Sequence, residues 1–140
     1  MRIATASAAD IGAMHALRLR VLENRLSDPA RVTEESYRAY VEAGSAWLAP
    51  TERGLGGFAI LDPAGAGVWA LFVAPEAEGR GIGRALLDRL LDEARALGLR
   101  RLSLETAPDT RAERFYTAAG WTKAGTTRTG ELLFEKEVGE

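Results

Sequence analysis

Apolar residues recur along this chain with two different periods. Leu86, Leu87, Leu90, Leu91, Ala94 and Leu97 fall on one broad helical face that Gly98 terminates, so a long amphipathic helix is predicted there with its leucines in the core. Ile11, Met14, Leu17 and Val21 form a similar stripe, which predicts a helix starting at Ser7 or Asp10 and ending near Asn24. A second helix is predicted from Thr33, with Glu34 and Glu35 in its first turn, to about Ala43. A last helix begins at Asp109 or Thr110, with Thr110 and Glu113 spaced as a capping box, and stops at Gly120.

Strand-like segments fill the intervals. Arg2 to Ala6 is a short first strand, and Ala46 to Ala49 and Leu55 to Leu61 flank the turn at Thr51 to Gly54. The continuous apolar run Val68 to Val73 reads as a central strand. In Arg101 to Thr106, Leu102 and Leu104 alternate with Ser103 and Glu105, and Trp121 to Arg128 with Glu131 to Val138 forms a terminal hairpin about Thr129 and Gly130. A strand, a crossover helix and a strand imply a parallel pair, and parallel pairs bind ligands beyond the carboxyl ends of their strands.

Between the central strand and the leucine helix lies Glu78, Gly79, Arg80, Gly81, Ile82, Gly83, Arg84. Alternate glycines let the backbone fold tightly and aim several N–H groups at one point, to which a helix N-terminus and the two arginines add positive potential. That combination attracts a phosphate or pyrophosphate. A P-loop is excluded, since no Lys or Ser/Thr follows Gly83, and a dinucleotide fingerprint fits weakly because its third small residue is missing.

Composition narrows the possibilities further. The chain has 140 residues, 46% of them hydrophobic, enough for one domain with a real core spanning 1–140. Its net charge of −2 argues against a general nucleic-acid binder and gives no reason to invoke a membrane surface. The absence of cysteine excludes disulfides, thiolate metal sites and a cysteine nucleophile. A single histidine rules out a multi-histidine metal site, so no metal is expected, and the expected location is cytoplasmic.

Gly81, Ile82, Gly83 and the following Arg84, Ala85, Leu86 resemble the R/Q-x-x-G-x-G/A loop of the GNAT superfamily of N-acetyltransferases, with Glu78 in place of the usual Arg or Gln. Phe115, Tyr116, Thr117, Ala118, Ala119, Gly120, Trp121 is similar to the family's F/L-Y-x-x-x-G-F/W signature, and Asp109, seven residues before the tyrosine, stands where Asn is frequent. The element order agrees over nearly the whole chain. The resemblance implies the GNAT α+β fold: a mixed, mostly antiparallel central sheet, with a parallel pair splayed at the coenzyme site and helices on both faces. It implies acetyl-coenzyme A as co-substrate, bound by Glu78 to Arg84, by Asp109, Phe115 and Tyr116, and by backbone groups of Leu71, Phe72 and Val73 freed at a strand bulge.

Acetyl transfer to an amine requires a neutral nucleophile, a polarised thioester carbonyl and a proton for the leaving thiolate. Tyr116 is the candidate acid. Glu105, near the carboxyl end of its strand, and Glu23, at the end of the first helix, are the candidate bases, with a water chain as an alternative, whereas His15 reads as a helix-surface residue. The acceptor is expected between the first two helices and the terminal hairpin, where Arg18, Arg20, Asn24, Arg25, Asp28 and Tyr37 gather. A small primary amine is the expected acceptor. A protein or peptide amine and a non-catalytic acyl-coenzyme A module are the rivals; Tyr116 argues against the second. The last strand, with Leu133 and Phe134 amid charges, reads as an edge on which a homodimer could form.

Overall fold

The computed structural model describes residues 1–21 and 32–139. The predicted end of the first helix and the connector from Asn24 to Pro29, including Glu23, Arg25 and Asp28, lie outside the described residues. The elements follow in the expected order: β1 (Ala4–Thr5), α1 (Ile11–Val21), α2 (Glu34–Glu42), β2 (Ala46–Thr51), β3 (Gly54–Asp62), β4 (Gly67–Val73), α3 (Ile82–Ala96), β5 (Arg101–Thr106), α4 (Arg111–Ala118), β6 (Thr122–Thr126) and β7 (Leu132–Glu137). Short 3₁₀ turns at Ala8–Asp10 and Pro75–Ala77 precede α1 and follow β4.

The helix starts obey local chemistry. The Ser7 N–H donates to the Asp10 carboxylate (2.8 Å), the Thr33 N–H donates to Ser36 Oγ (3.0 Å), and Thr110 Oγ1 accepts from the Glu113 N–H (3.2 Å). Gly98, just past α3, is left-handed at φ 82°, as a helix stop requires. Leu86, Leu87, Leu90, Leu91 and Ala94 of α3 are buried as predicted, and Ile82, expected in the coenzyme loop, is buried with them. Leu97 is not: it caps the helix at 51% exposure, because the left-handed exit at Gly98 turns the chain before the stripe completes another turn.

The seven strands form one sheet in the order β1-β2-β3-β4-β5-β7-β6. β1 to β4 are antiparallel neighbours, β4 and β5 are parallel, and β5, β7 and β6 are again antiparallel. The last strand is therefore not an edge: β7 inserts between β5 and β6, Phe134 is fully buried, and the fully exposed β6 forms that edge instead. Helices cover both faces. On one, Gly57 of β3 approaches Ile82 and Leu86 of α3, and on the other Phe58 packs on Tyr37 of α2 with ring centroids 6.1 Å apart.

Close approach of α3 to the sheet depends on glycine at position 57. A Cβ there would lie 2.8 Å from the Phe72 carbonyl oxygen and 3.0 Å from Ile82 Cγ2 and Leu86 Cδ1. Gly57→Ala is expected to lower stability by about 1–3 kcal/mol through this overpacking, measured by denaturant unfolding; an unchanged midpoint would show that α3 can shift without cost.

Candidate functional site

β4 and β5 touch at one end only. Gly67 pairs with Ser103, the Ser103 N–H donates to the Ala66 carbonyl (3.0 Å), and beyond this point the two strands are not paired. The Ala74 N–H donates to the Gly56 carbonyl (2.8 Å), so by the antiparallel alternation Ala70, Phe72 and Ala74 turn their backbone groups toward β3. Leu71 and Val73 consequently direct their N–H and C=O groups into the gap between β4 and β5. The gap is a cleft of about 1630 Å³, walled by α1, β4, β5, the start of α3, α4 and the β6–β7 turn.

The β4 bulge lies upstream of the expected Leu71 to Val73. The register with β3 shifts between Ile60 and Leu61, so that Trp69 is the extra residue, between Val68 and Ala70. A bulge re-aims side chains. Trp69 here packs on Tyr37 and Tyr40 of α2, with ring centroids 5.2 and 5.0 Å away, on the same side of the sheet as Phe72, which packs on Phe58 at 5.6 Å.

At the other end of β4 the chain passes through the 3₁₀ turn into the glycine turn. Gly79 and Gly81 are left-handed at φ 81° and 80°, and a Cβ at either would meet nothing within 4 Å, so it is the backbone conformation that needs glycine. The first amide of α3 with a helical acceptor is that of Ala85, which donates to the Gly81 carbonyl (3.0 Å). Among the described residues, the N–H groups of residues 79 to 84 donate to no backbone carbonyl, which leaves them available to an anion. Gly83 serves packing: a Cβ there would lie 3.3 Å from Phe115 Cε1 and 3.4 Å from Val73 Cγ2, and its absence lets the first turn of α3 close against both walls.

The charges differ from those the sequence suggested. Glu78 is ion-paired to Arg111, the first residue of α4 (3.5 Å), and both line the cleft. Arg84 also lines it, while bonded to Asp88 (3.2 Å). Arg80, one of the two arginines expected to add positive potential at the turn, is exposed and is not part of the lining. Arg111 lines the cleft instead and was missed, although its position at the N-terminus of α4, facing the glycine turn across a splayed pair, was a usable signal. Asp109 is left-handed (φ 58°), exposed and outside the lining; Thr110, not Asp109, caps α4.

Phe115 and Tyr116 reach the cleft from α4. The Tyr116 ring is 6% exposed and packs against Phe115, Trp121 and Phe134, with centroids 5.1, 5.4 and 6.1 Å away. Burial pushes its phenol well above the ordinary value, so it holds its proton at neutral pH and can act only as a donor there. Glu105 lines the cleft and is exposed, without a salt bridge among the described residues. Glu23 lies outside the described residues.

The α1 contribution was legible only in part: Arg18 was expected beside the acceptor, whereas His15 was read as a helix-surface residue. His15 is not a plain surface residue: it lines the cleft, and its Nδ1 is 3.0 Å from the hydroxyl of the fully buried Tyr37. Arg18, one turn later, lines the cleft with its guanidinium carbon 4.9 Å from the Trp69 ring centroid and 5.1 Å from that of Phe72. Tyr37 also has a raised pKa, chiefly from burial, which the Arg18 charge opposes.

Among the described residues, no group of three or more His, Cys, Asp or Glu could hold a metal ion, and no helix is long and apolar enough to cross a membrane.

All three tyrosines have pKa values raised above 10.0 by burial. A phenol with a raised folded-state pKa favours folding below its unfolded pKa, and that contribution is lost as pH climbs toward the folded value. Tyrosinate absorbance is therefore expected to stay low through pH 10 while the fold persists and to appear together with alkaline unfolding. A rise near pH 10 with circular dichroism intact would show that the phenols are solvated.

Three comparisons bear on this geometry. The sequence profile of the acetyltransferase (GNAT) family matches residues 13–121. An IAA acetyltransferase of Azospirillum brasilense is 54% identical over 54 residues, covering 38% of this chain and 35% of that protein. The chain spans between 22% and 56% of the length of the curated relatives it matches. Among solved structures, ribosomal-protein-alanine N-acetyltransferase from Brucella melitensis superposes with a TM-score of 0.80 at 23% identity, covering 98% of this chain and 99% of that one. PaiA N-acetyltransferase from Thermoplasma acidophilum, in complex with coenzyme A, gives 0.79 at 17% identity, covering 97% and 98%. Both structural likenesses establish the fold.

Proposed function

The chain belongs to the acetyltransferase (GNAT) family, and from that premise we propose that it moves the acetyl group of acetyl-coenzyme A to a primary amine of a small molecule by direct attack on the thioester. The observation that carries this reading is the splay of β4 from β5 beside a turn whose amides lack backbone acceptors. The residues fit an elongated ligand with a polyanionic end. The amides of residues 79 to 84, with Arg84 and Arg111, suit a pyrophosphate, and the free backbone groups of Leu71 and Val73 suit an amide-bearing arm lying along β4.

The chemistry follows from what faces the gap. An N–H of Leu71 or Val73 aimed at the developing oxyanion would contribute a few kcal/mol. Tyr116 delivers the proton to the departing thiolate. Glu105, one of the carboxylates on the cleft wall and the one near the carboxyl end of β5, takes the proton from the acceptor ammonium in this reading, directly or through water, and Glu23 is the second candidate for this role. A small-molecule acceptor is supported by relatives named for small molecules, such as the L-2,4-diaminobutyric acid acetyltransferase of Nocardia farcinica (35% identical over 71 residues).

The deciding experiment is calorimetric titration with acetyl-coenzyme A of the wild type and of Gly83→Trp and Gly81→Val, each variant checked for fold by circular dichroism. Micromolar binding by the wild type, lost when a side chain enters the turn at 83 or when the left-handed backbone at 81 is penalised, is the expected outcome. A folded wild type that does not bind overturns the reading. If binding holds, Tyr116→Phe is expected to lower kcat by ~100-fold or more while leaving the affinity for acetyl-coenzyme A nearly intact; an unaltered kcat would remove Tyr116 from the acid role.

A further inference from the structure

Arg18 is a half-buried cationic residue of the cleft wall with no carboxylate partner among the described residues. Among the described residues its buried Nη1 has no hydrogen-bond partner, although the Tyr37 hydroxyl interacts with the guanidinium, whereas the arginines that do form ion pairs, such as Arg20 with Glu76 and Arg111 with Glu78, do so at the exposed surface. Trp69 and Phe72 hold the guanidinium through their ring faces. An aromatic face stabilises the cation but cannot accept the N–H groups, which lie in the guanidinium plane and match a carboxylate in bidentate fashion. A buried donor with nothing to donate to is costly, and it persists where a ligand supplies the acceptor.

The place of Arg18 along the sheet determines what that ligand is. Phe72, beneath the guanidinium, lies between Leu71 and Val73, whose backbone groups face the reacting end of the cleft. An anion on Arg18 therefore sits within a short chain of the amine that reacts. His15, the nearest ionisable cleft residue on α1, is engaged with the Tyr37 hydroxyl, and the other lining arginines, Arg84 and Arg111, flank the glycine turn. One guanidinium balances one negative charge, which fits a carboxylate better than a doubly charged phosphate.

Resting on the acetyltransferase reading above, we propose that Arg18 receives a carboxylate carried by the acceptor, so that the acceptor class is an amino acid with its reactive primary amine a few carbons from the carboxylate. Trp69, re-aimed by the β4 bulge, is the wall against which the acceptor's aliphatic carbons lie.

The test uses matched acceptors: a panel of amino acids, the carboxamide of each, the amine lacking the carboxylate, and an aminoalkyl phosphate. Acetylation by the intact protein is followed for the wild type, Arg18→Gln and Arg18→Lys, and titration with acetyl-coenzyme A shows in each case that the protein is folded and the coenzyme end intact. The wild type is expected to prefer an acid over its carboxamide by ~30-fold or more in kcat/KM. The preference should collapse in Arg18→Gln through KM and return in part in Arg18→Lys. Independently of turnover, the N-acetylated amino acid added with coenzyme A should raise the melting temperature of the wild type and not that of Arg18→Gln. Acid and carboxamide used equally, no panel member acetylated, the phosphate preferred, or a preference that survives in Arg18→Gln each overturns the proposal while acetyl-coenzyme A binding stands. Loss of that binding in the wild type itself overturns the acetyltransferase reading, and this inference with it.

Discussion

A single contact between parallel strands governs this structure. β4 is held along its whole length by β3 but meets β5 only at Gly67 and Ser103. Unpaired backbone groups inside a protein are costly, and a strand that leaves a neighbour after one pair exposes a row of them. The fold keeps them wet by opening a cleft there and supports the opening from both sides, with α3 locked to the sheet by the close approach at Gly57 and β5 stitched to β7 from Arg101 to Thr106. The open pair is thus a fixed feature of two well-anchored half-sheets.

The two ends of the cleft offer different electrostatics. At the glycine turn, positive potential is spread over several amides, the start of α3 and the arginines at 84 and 111, with the Glu78 charge compensated by Arg111. This suits a large, multiply charged group. At the α1 end, the cation is one guanidinium between aromatic rings, and the bulge that puts Trp69 beside Phe72 creates that setting. One irregularity in β4 therefore shapes the α1 end of the cleft, while the missing β5 pairing shapes its opening toward the glycine turn.

Much of this was legible in the sequence because it depends on local rules. The leucine stripe of α3, the cap at Thr110, the glycine turn and the parallel crossover all follow from spacing and residue type within a few positions. The departures come from nonlocal packing. Nothing near Leu133 or Phe134 announces that β7 will slip between β5 and β6, because strand order in a terminal hairpin is decided by which strand better fills the buried slot. The contacts of Arg18 with Trp69 and of His15 with Tyr37 were likewise hidden, since each partner is more than 20 residues away.

The burial of Tyr116 bears directly on its chemistry. A phenol packed among Phe115, Trp121 and Phe134 is a weaker acid than one in water, which on its own argues against proton donation. But a thiolate departing into the same apolar cleft loses hydration as well, and desolvation raises its basicity too. What controls transfer is the difference between the two groups, and a shared environment leaves that difference smaller than the shift of either one. A solvated tyrosine would be the stronger acid yet would bring with it the water that hydrates and stabilises the thiolate. Under the proposed mechanism, the aromatic cage would give a donor that is protonated at neutral pH and held in one orientation, beside a leaving group whose need for a proton is greatest where water is excluded.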